Sequence, residues 1–177
     1  METTLLSNDT LHLRAVEPED ANIIFEWENN TENWQVSNTL TPFSHHTIQQ
    51  YALSASKDIF ELKQLRLMIV LNEGNQPIGT IDLFEYDPFH QRAGVGILIN
   101  SANDRGKGYA TQALTILKKY AFDYLHMKQL YCGIGSENTG SLELFEKAGF
   151  TICGIKKDWL RTMDGWMDEY SLQCFNK

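Results

Sequence analysis

The hydrophobic pattern changes period at Gly108, and that switch limits the chain to a fold mixing strands with helices. Upstream, Leu65 to Asn72, Ile78 to Glu85 and Arg92 to Asn100 are short apolar or alternating runs. Gly74-Asn75-Gln76-Pro77 and Asp87-Pro88-Phe89-His90 separate them as turns, so the runs read as successive strands, the first two a hairpin. Downstream, Ala110, Ala113, Leu114, Leu117, Ala121 and Leu125 recur at three- and four-residue spacing, the period of one helix face. Gln129 to Gly135 returns to strand. A second amphipathic helix runs from Thr139 to Ala148, with Gly149 placed as a left-handed cap and Phe150 as its apolar contact. Phe150–Leu160 and Trp166–Phe175 close the chain as strands around a Met163-Asp164-Gly165 turn.

Toward the N-terminus, Leu11 to Val16 alternates as a first strand. Glu17-Pro18-Glu19-Asp20 opens a helix whose buried stripe is Ile23, Ile24 and Trp27. A polar, Asn-rich passage from Asn29 to Asn38 reads as irregular, and Thr47 to Ser56 as a helix. The expectation is one mixed α/β domain over residues 1–177, built on a single sheet of seven strands with four helices around it.

No apolar run approaches the roughly 20 residues that cross a bilayer, so no membrane partner is expected. Met1-Glu2-Thr3-Thr4-Leu5 lacks the basic and apolar regions of a signal peptide, which points to the cytoplasm and to reduced thiols at Cys132, Cys153 and Cys174. No metal-ligand spacing is present. The formal charge of −8 argues against a nucleic-acid partner. It suits a cation such as a polyamine, a basic peptide or a free amine, or it serves solubility alone.

Chemistry concentrates where the period changes. A strand ending in Gly96-Ile97-Leu98-Ile99-Asn100 feeds the loop Ser101-Ala102-Asn103-Asp104, followed by Arg105-Gly106-Lys107-Gly108 and the long helix. Glycines permit positive φ and close backbone approach, successive amides make a concave nest, and the helix start adds unpaired N–H groups. That combination suits a diphosphate. Lys107 is followed by Gly108 rather than Ser or Thr, which excludes a P-loop. A turn past the middle of the chain does not fit a dinucleotide fingerprint either.

Arg105-Gly106-Lys107-Gly108-Tyr109-Ala110 resembles the Q/R-x-x-G-x-G/A signature of the GNAT superfamily of N-acetyltransferases. Asn138-Thr139-Gly140-Ser141 and Phe145-Glu146-Lys147-Ala148-Gly149-Phe150 resemble its second cofactor-binding helix. The likeness covers essentially the whole chain and is nearest the branch of ribosomal-protein N-terminal and spermidine (diamine) acetyltransferases. It implies a mostly antiparallel sheet splayed between the fourth and fifth strands, and acetyl-CoA as cosubstrate. It further implies that the amides of Arg105, Gly106, Lys107, Gly108, Tyr109 and Ala110 hold the pyrophosphate. The strand edge at Ile97, Leu98 and Ile99 would pair with the pantetheine arm, and Asn138 and Ser141 would face that arm from the other side.

Two positions depart from the family pattern. Gly94 stands where a fourth-strand carboxylate is common, and Phe145 where a tyrosine commonly protonates the departing thiolate. Ser141 is then the candidate proton donor and Glu85 the candidate proton acceptor, with Asp82 and His90 as further options. Asp82 and Glu85, three apart in a strand, are expected on opposite faces. At pH 7 an α-amine of pKa about 8 is neutral roughly one time in ten, and a lysine-like amine of about 10.4 roughly four times in ten thousand. Weak bases therefore favour a peptide or amino-acid acceptor, whereas net charge favours a polyamine. A non-catalytic acetyl-CoA or CoA-binding module and another acyl donor remain alternatives. Trp27, Trp34 and Phe43 fall in the region expected to shape the acceptor pocket, and a homodimer formed through the last strand is left open.

Overall fold

The structure is a computed structural model that describes residues 5–55 and 57–177; Met1 to Thr4 of the N-terminal run and Ser56 at the expected end of the second helix lie outside them. Seven strands form one sheet: β1 (Leu11–Ala15), β2 (Leu65–Leu71), β3 (Gln76–Asp87), β4 (Arg92–Ile99), β5 (Gln129–Gly135), β6 (Thr151–Arg161) and β7 (Trp166–Phe175). Their order is β1-β2-β3-β4-β5-β7-β6. All neighbours are antiparallel except β4 and β5, which are parallel. Helices α1 (Ala21–Glu28), α2 (Thr31–Ser37), α3 (His45–Ser54), α4 (Ile59–Leu62), α5 (Tyr109–Lys119) and α6 (Thr139–Lys147) cover the two faces.

Along β2 the residues Leu67, Met68, Ile69 and Val70 are all buried, because both faces of this strand are covered. Leu67 and Ile69 join the larger core with Ile81, Leu83, Val95, Leu130 and Leu172, packed under Ala113, Leu114 and Leu117 of α5 and Phe145 of α6. Met68 and Val70 join a second core with Ile24 of α1 and with Ile48 and Ala52 of α3; Trp27 packs partly buried against its edge. At about 25 cal/mol per Å² of apolar surface removed from water, these two layers are what make the sheet rigid.

The Asn-rich passage contains a helix rather than irregular chain. The Asn30 side chain caps it by accepting from Glu32 N, and Asn38 ends it at φ 55°. These caps, and not an apolar stripe, define α2, so hydrophobic periodicity missed it; α4 is likewise a single capped turn, with Asp58 accepting from Phe60 N and Glu61 N. The long helix continues past Lys119 into a π-helical turn over Tyr120–Tyr124. Gly149 adopts φ 88° and Phe150 N donates to Phe145 O, the expected left-handed cap. Cys132 and Cys174 are buried strand residues, whereas Cys153 is exposed on β6, the sheet's outer strand.

Candidate active site

The parallel pairing of β4 with β5 lasts for three residues, Arg92 with Gln129, Ala93 with Leu130 and Gly94 with Tyr131. Beyond Gly94 the strands run on to Ile99 and Gly135 without pairing, so the sheet splits there. Asn100 N donates to Ile78 O toward β3. Alternation then turns the main-chain groups of Leu98 and Gly96 toward β3 and those of Ile97 and Ile99 into the split. Ile97 with both main-chain groups and Ile99 with its N–H therefore present an edge that no strand pairs, the Ile99 carbonyl being taken by Arg105 Nε, while Leu98 contributes its half-buried side chain. From Ile99 back to Val95 this edge is roughly 13 Å long.

The open mouth of the split is flanked by two helix starts, α5 following β4 and α6 following β5. Gly106 and Gly108 adopt φ 74° and 80°, and a Cβ on either would meet nothing within 4 Å. The space beside both is open, and a turn of this conformation can aim its amides into one concavity ahead of Tyr109 and Ala110, which start α5 and pack against the larger core. Lys107 Nζ lies 3.5 Å from Asp104 and 6.0 Å from the Tyr109 ring centre. The Arg105 side chain turns away from the concavity. Its Nε donates to Ile99 O at 2.9 Å, and its Nη2 donates to Asn100 O at 3.0 Å and Asn33 Oδ1 at 3.1 Å. Asn33, 3% exposed, donates in turn to Asn100 Oδ1. Only the main chain of Arg105 is left for an anion.

On the α6 side, Asn138 is the N-cap and its Oδ1 accepts from Ser141 N at 3.2 Å. Ser141, half-buried in the first turn, stands at the mouth. Phe145 is buried edge-on against Phe150, with ring centres 5.0 Å apart, and so belongs to the core rather than to the slot.

At the closed end, a Cβ on Gly94 would fall 2.2 Å from the Phe84 ring. The β4 carboxylate position is empty because an aromatic ring from β3 lies across it. Glu85 adopts φ 49° and the β3–β4 register shifts between Phe84 and Asp87. This bulge breaks the alternation expected of Asp82 and Glu85. The Glu85 carboxylate accepts from Tyr131 Oη at 2.5 Å, and the Tyr131 ring meets Phe84 edge-on on the face that carries Asp82. Burial, then the hydrogen bond to Glu85, push the Tyr131 pKa up, so it stays protonated at neutral pH. Ser141 and Glu85 are not brought together: one lies at the mouth, the other at the closed end.

Asp82 is not free. Arg66 Nε and Nη2 donate to its two oxygens at 2.8 Å each, and Arg66 Nη1 donates to Glu28 Oε1 at 2.5 Å. Burial opposes the charge on Arg66, but Asp82, Tyr51 and Glu28 together outweigh it and the pKa is raised. His90, exposed in the β3–β4 turn, is paired with Asp87 at 2.8 Å. Above Arg66 lies a cavity of about 370 Å³ lined by Ile24, Glu28, Phe43, Ile48, Tyr51 and the chain from Ser37 to Thr41. Trp34 instead donates to Glu28 O. Arg66 and Tyr131 escaped attention in the sequence, although an arginine and a tyrosine on strand faces bearing acids were the available signal.

An open strand edge leading from a glycine concavity to a tyrosine–carboxylate pair fits an extended thioester carrying a diphosphate. The family model for the acetyltransferase (GNAT) domain matches residues 10–151. The chain belongs to that family. It is 28% identical over 178 aligned residues to an uncharacterized N-acetyltransferase of Bacillus licheniformis, covering 100% of this chain and 98% of the relative. It is 26% identical to the spermidine N(1)-acetyltransferase of Escherichia coli K12, covering 84% of this chain and 76% of that one. The spermidine N-acetyltransferase of Vibrio cholerae, solved with CoA and spermine, shares the fold with a TM-score of 0.85 at 22% identity, over 95% and 96% of the two chains. The protein is an N-acetyltransferase that acts on an amine. Among the described residues no helix is long and apolar enough to cross a membrane.

Proposed function

We propose that the protein transfers an acetyl group from acetyl-CoA to a primary amine by direct attack in a ternary complex, in the cytoplasm. The observation that supports this best is the split beyond Gly94 and Tyr131, opening onto the positive-φ loop at Gly106 and Gly108. Bound acetyl-CoA supplies the activated acyl group. Main-chain amides from Arg105 to Ala110 hold its diphosphate, and Ile97 and Ile99 pair with the arm and polarise the carbonyl. Leu98, Asn138 and Ser141 complete the walls. Ser141 Oγ is the hydroxyl offered to the departing sulfur. Tyr131 takes a proton from the acceptor's ammonium as it passes its own to Glu85, which is exposed and can release it to water, and the neutral amine so formed attacks the thioester carbonyl.

The 370 Å³ cavity receives the body of the acceptor, a small molecule or the end of a peptide. The sheet's outer hairpin, where Ile152, Ile155, Trp159 and Trp166 are exposed, is the face through which a homodimer would form. Thiol release with acetyl-CoA across polyamines, amino acids and peptides tests the activity. Calorimetry with CoA tests the carrier site, and binding of CoA without thiol release from any amine would remove the transferase assignment. Ser141→Ala should lower kcat while leaving CoA affinity nearly unchanged.

A further inference from the structure

Four glycines floor the split and the last paired rung beside it on the face away from α5: Gly94, at that rung, and Gly96 in β4, Gly133 and Gly135 in β5. Their neighbours Ala93, Val95, Leu130, Cys132 and Ile134 point into the larger core, which fixes that orientation by alternation. Side chains from the strands behind fill the vacated space. Phe84 of β3 covers Gly94, and Glu169 of β7 covers Gly133. A Cβ on Gly133 would stand 2.8 Å from the Glu169 Cδ and 2.9 and 3.0 Å from its two oxygens. A carboxylate on a strand that does not border the split thereby reaches over β5 toward it.

Glu169 is 12% exposed and is paired at 2.8 Å with the Nζ of Lys156, which is 46% exposed. That Nζ also sits 4.7 Å from the Trp159 ring centre. We infer that the Glu169 carboxylate is the seat of the acceptor's ammonium group, and that Lys156 occupies it as a placeholder when no acceptor is present. A primary ammonium on a flexible stem already meets the carboxylate there, and an incoming ammonium offers the same charge and the same three donors. Exchange of one for the other never leaves the carboxylate shielded and unpaired, the state that would cost most. The aromatic ring beside it stabilises either cation. The Tyr131–Glu85 pair, two residues along β5, then takes the proton that this seat does not need to accept. This assignment rests on the acetyl-transfer reading and adds to it the residue that selects a cationic acceptor.

Steady-state kinetics with acetyl-CoA and spermidine, putrescine and glycylglycine amide test it on the full chain. Glu169→Gln should raise the KM of the best acceptor at least about tenfold with the acetyl-CoA KM unchanged, the usual loss for a charge-assisted hydrogen bond. Gly133→Ala, which displaces the carboxylate without altering charge, should act in the same direction. Lys156→Met should do the opposite and lower the acceptor KM, by about two- to fivefold for release of a half-exposed pair. If Glu169 and Lys156 only brace the β6–β7 hairpin, both substitutions lower thermal stability and neither moves the acceptor KM, which overturns the inference. Thiol release from none of the amines by the unmodified protein overturns the transfer reading and this inference with it. Turnover that Glu169→Gln leaves intact overturns the inference alone.

Discussion

Replacing Arg66 by Met removes the cation from between two acids that the fold holds together. Three hydrogen bonds are lost, two of 2.8 Å to Asp82 and one of 2.5 Å to Glu28. The side chains of Asp82 and Glu28 are only 16% and 22% exposed, so water restores little of what they lose. Breaking a buried pair costs about 3–5 kcal/mol, and the remaining exposure lowers that to about 2–4 kcal/mol. For a domain of this size the melting temperature should fall by roughly 5–15 °C. Asp82→Asn should cost less, because Arg66 keeps Glu28 as a partner. The double variant should be more stable than Arg66→Met alone, since one of the two stranded charges is gone. Sign follows from linkage. Unpaired, the two acids repel while both are charged, so the deficit is full at pH 7.5 and shrinks in acid, where neutralising either one relieves the repulsion. Thermal and urea denaturation at pH 7.5 and 4.5 measure this. A loss under about 1 kcal/mol, or an equal loss at both pH values, refutes the buried-network account. Since Asp82 is held by Arg66, Asp82→Asn should also keep kcat within about threefold, less than removal of a general base costs.

Gly108→Ala places a side chain at φ 80°, costing about 1–2 kcal/mol, and should weaken CoA binding by at least about tenfold in calorimetry if the amides it displaces hold the diphosphate as proposed. Tyr131→Phe and Glu85→Gln should each lower kcat by about 10²-fold and leave the acetyl-CoA KM unchanged; a double variant no worse than either single one would show them acting as a unit, whereas multiplicative losses would separate them. Gly94→Ala should destabilise by about 1–3 kcal/mol, because its Cβ would fall 2.2 Å from the Phe84 ring, and Phe84→Ala in the same chain should recover part of that in urea melts. Burial, with smaller contributions from Cys153 and Glu169, pushes the Cys132 thiol up to about 12, so at pH 8 it stays protonated; iodoacetamide followed by mass spectrometry should find Cys153 alkylated first and Cys132 protected until unfolding.

The seven strands and the two helices that follow β4 and β5 were legible because each is an element whose apolar residues repeat at its own period. The loop from Arg105 to Ala110 was legible for another reason: glycines at φ 74° and 80° are a chemical requirement that the sequence states outright. Helix α2 was not legible by periodicity, since one buried polar residue, Asn33, ties it to Asn100 and Arg105 across more than 60 positions of sequence. Nothing local in the sequence reports such a contact. Glu85 shows a different limit. Strand alternation assigned it to the wrong face because a single positive φ inside β3 reverses the count, and that φ has no glycine to announce it.

The two positions left empty in the family pattern have different physical origins, and the difference bears on mechanism. Phe145 is empty because the residue carries no hydroxyl and its ring is buried edge-on against Phe150. Gly94 is empty because another residue uses the space, and the same holds at Gly133. A glycine on a strand that borders the split acts as a window through which the strand behind presents a side chain, apolar Phe84 on the β4 side and acidic Glu169 on the β5 side. Chemistry moved back by one strand is held by a fully paired neighbour, β3 or β7, instead of by the two strands that part beyond Gly94 and Tyr131. The rigidity that catalytic positioning needs and the opening that substrate entry needs then fall on different strands.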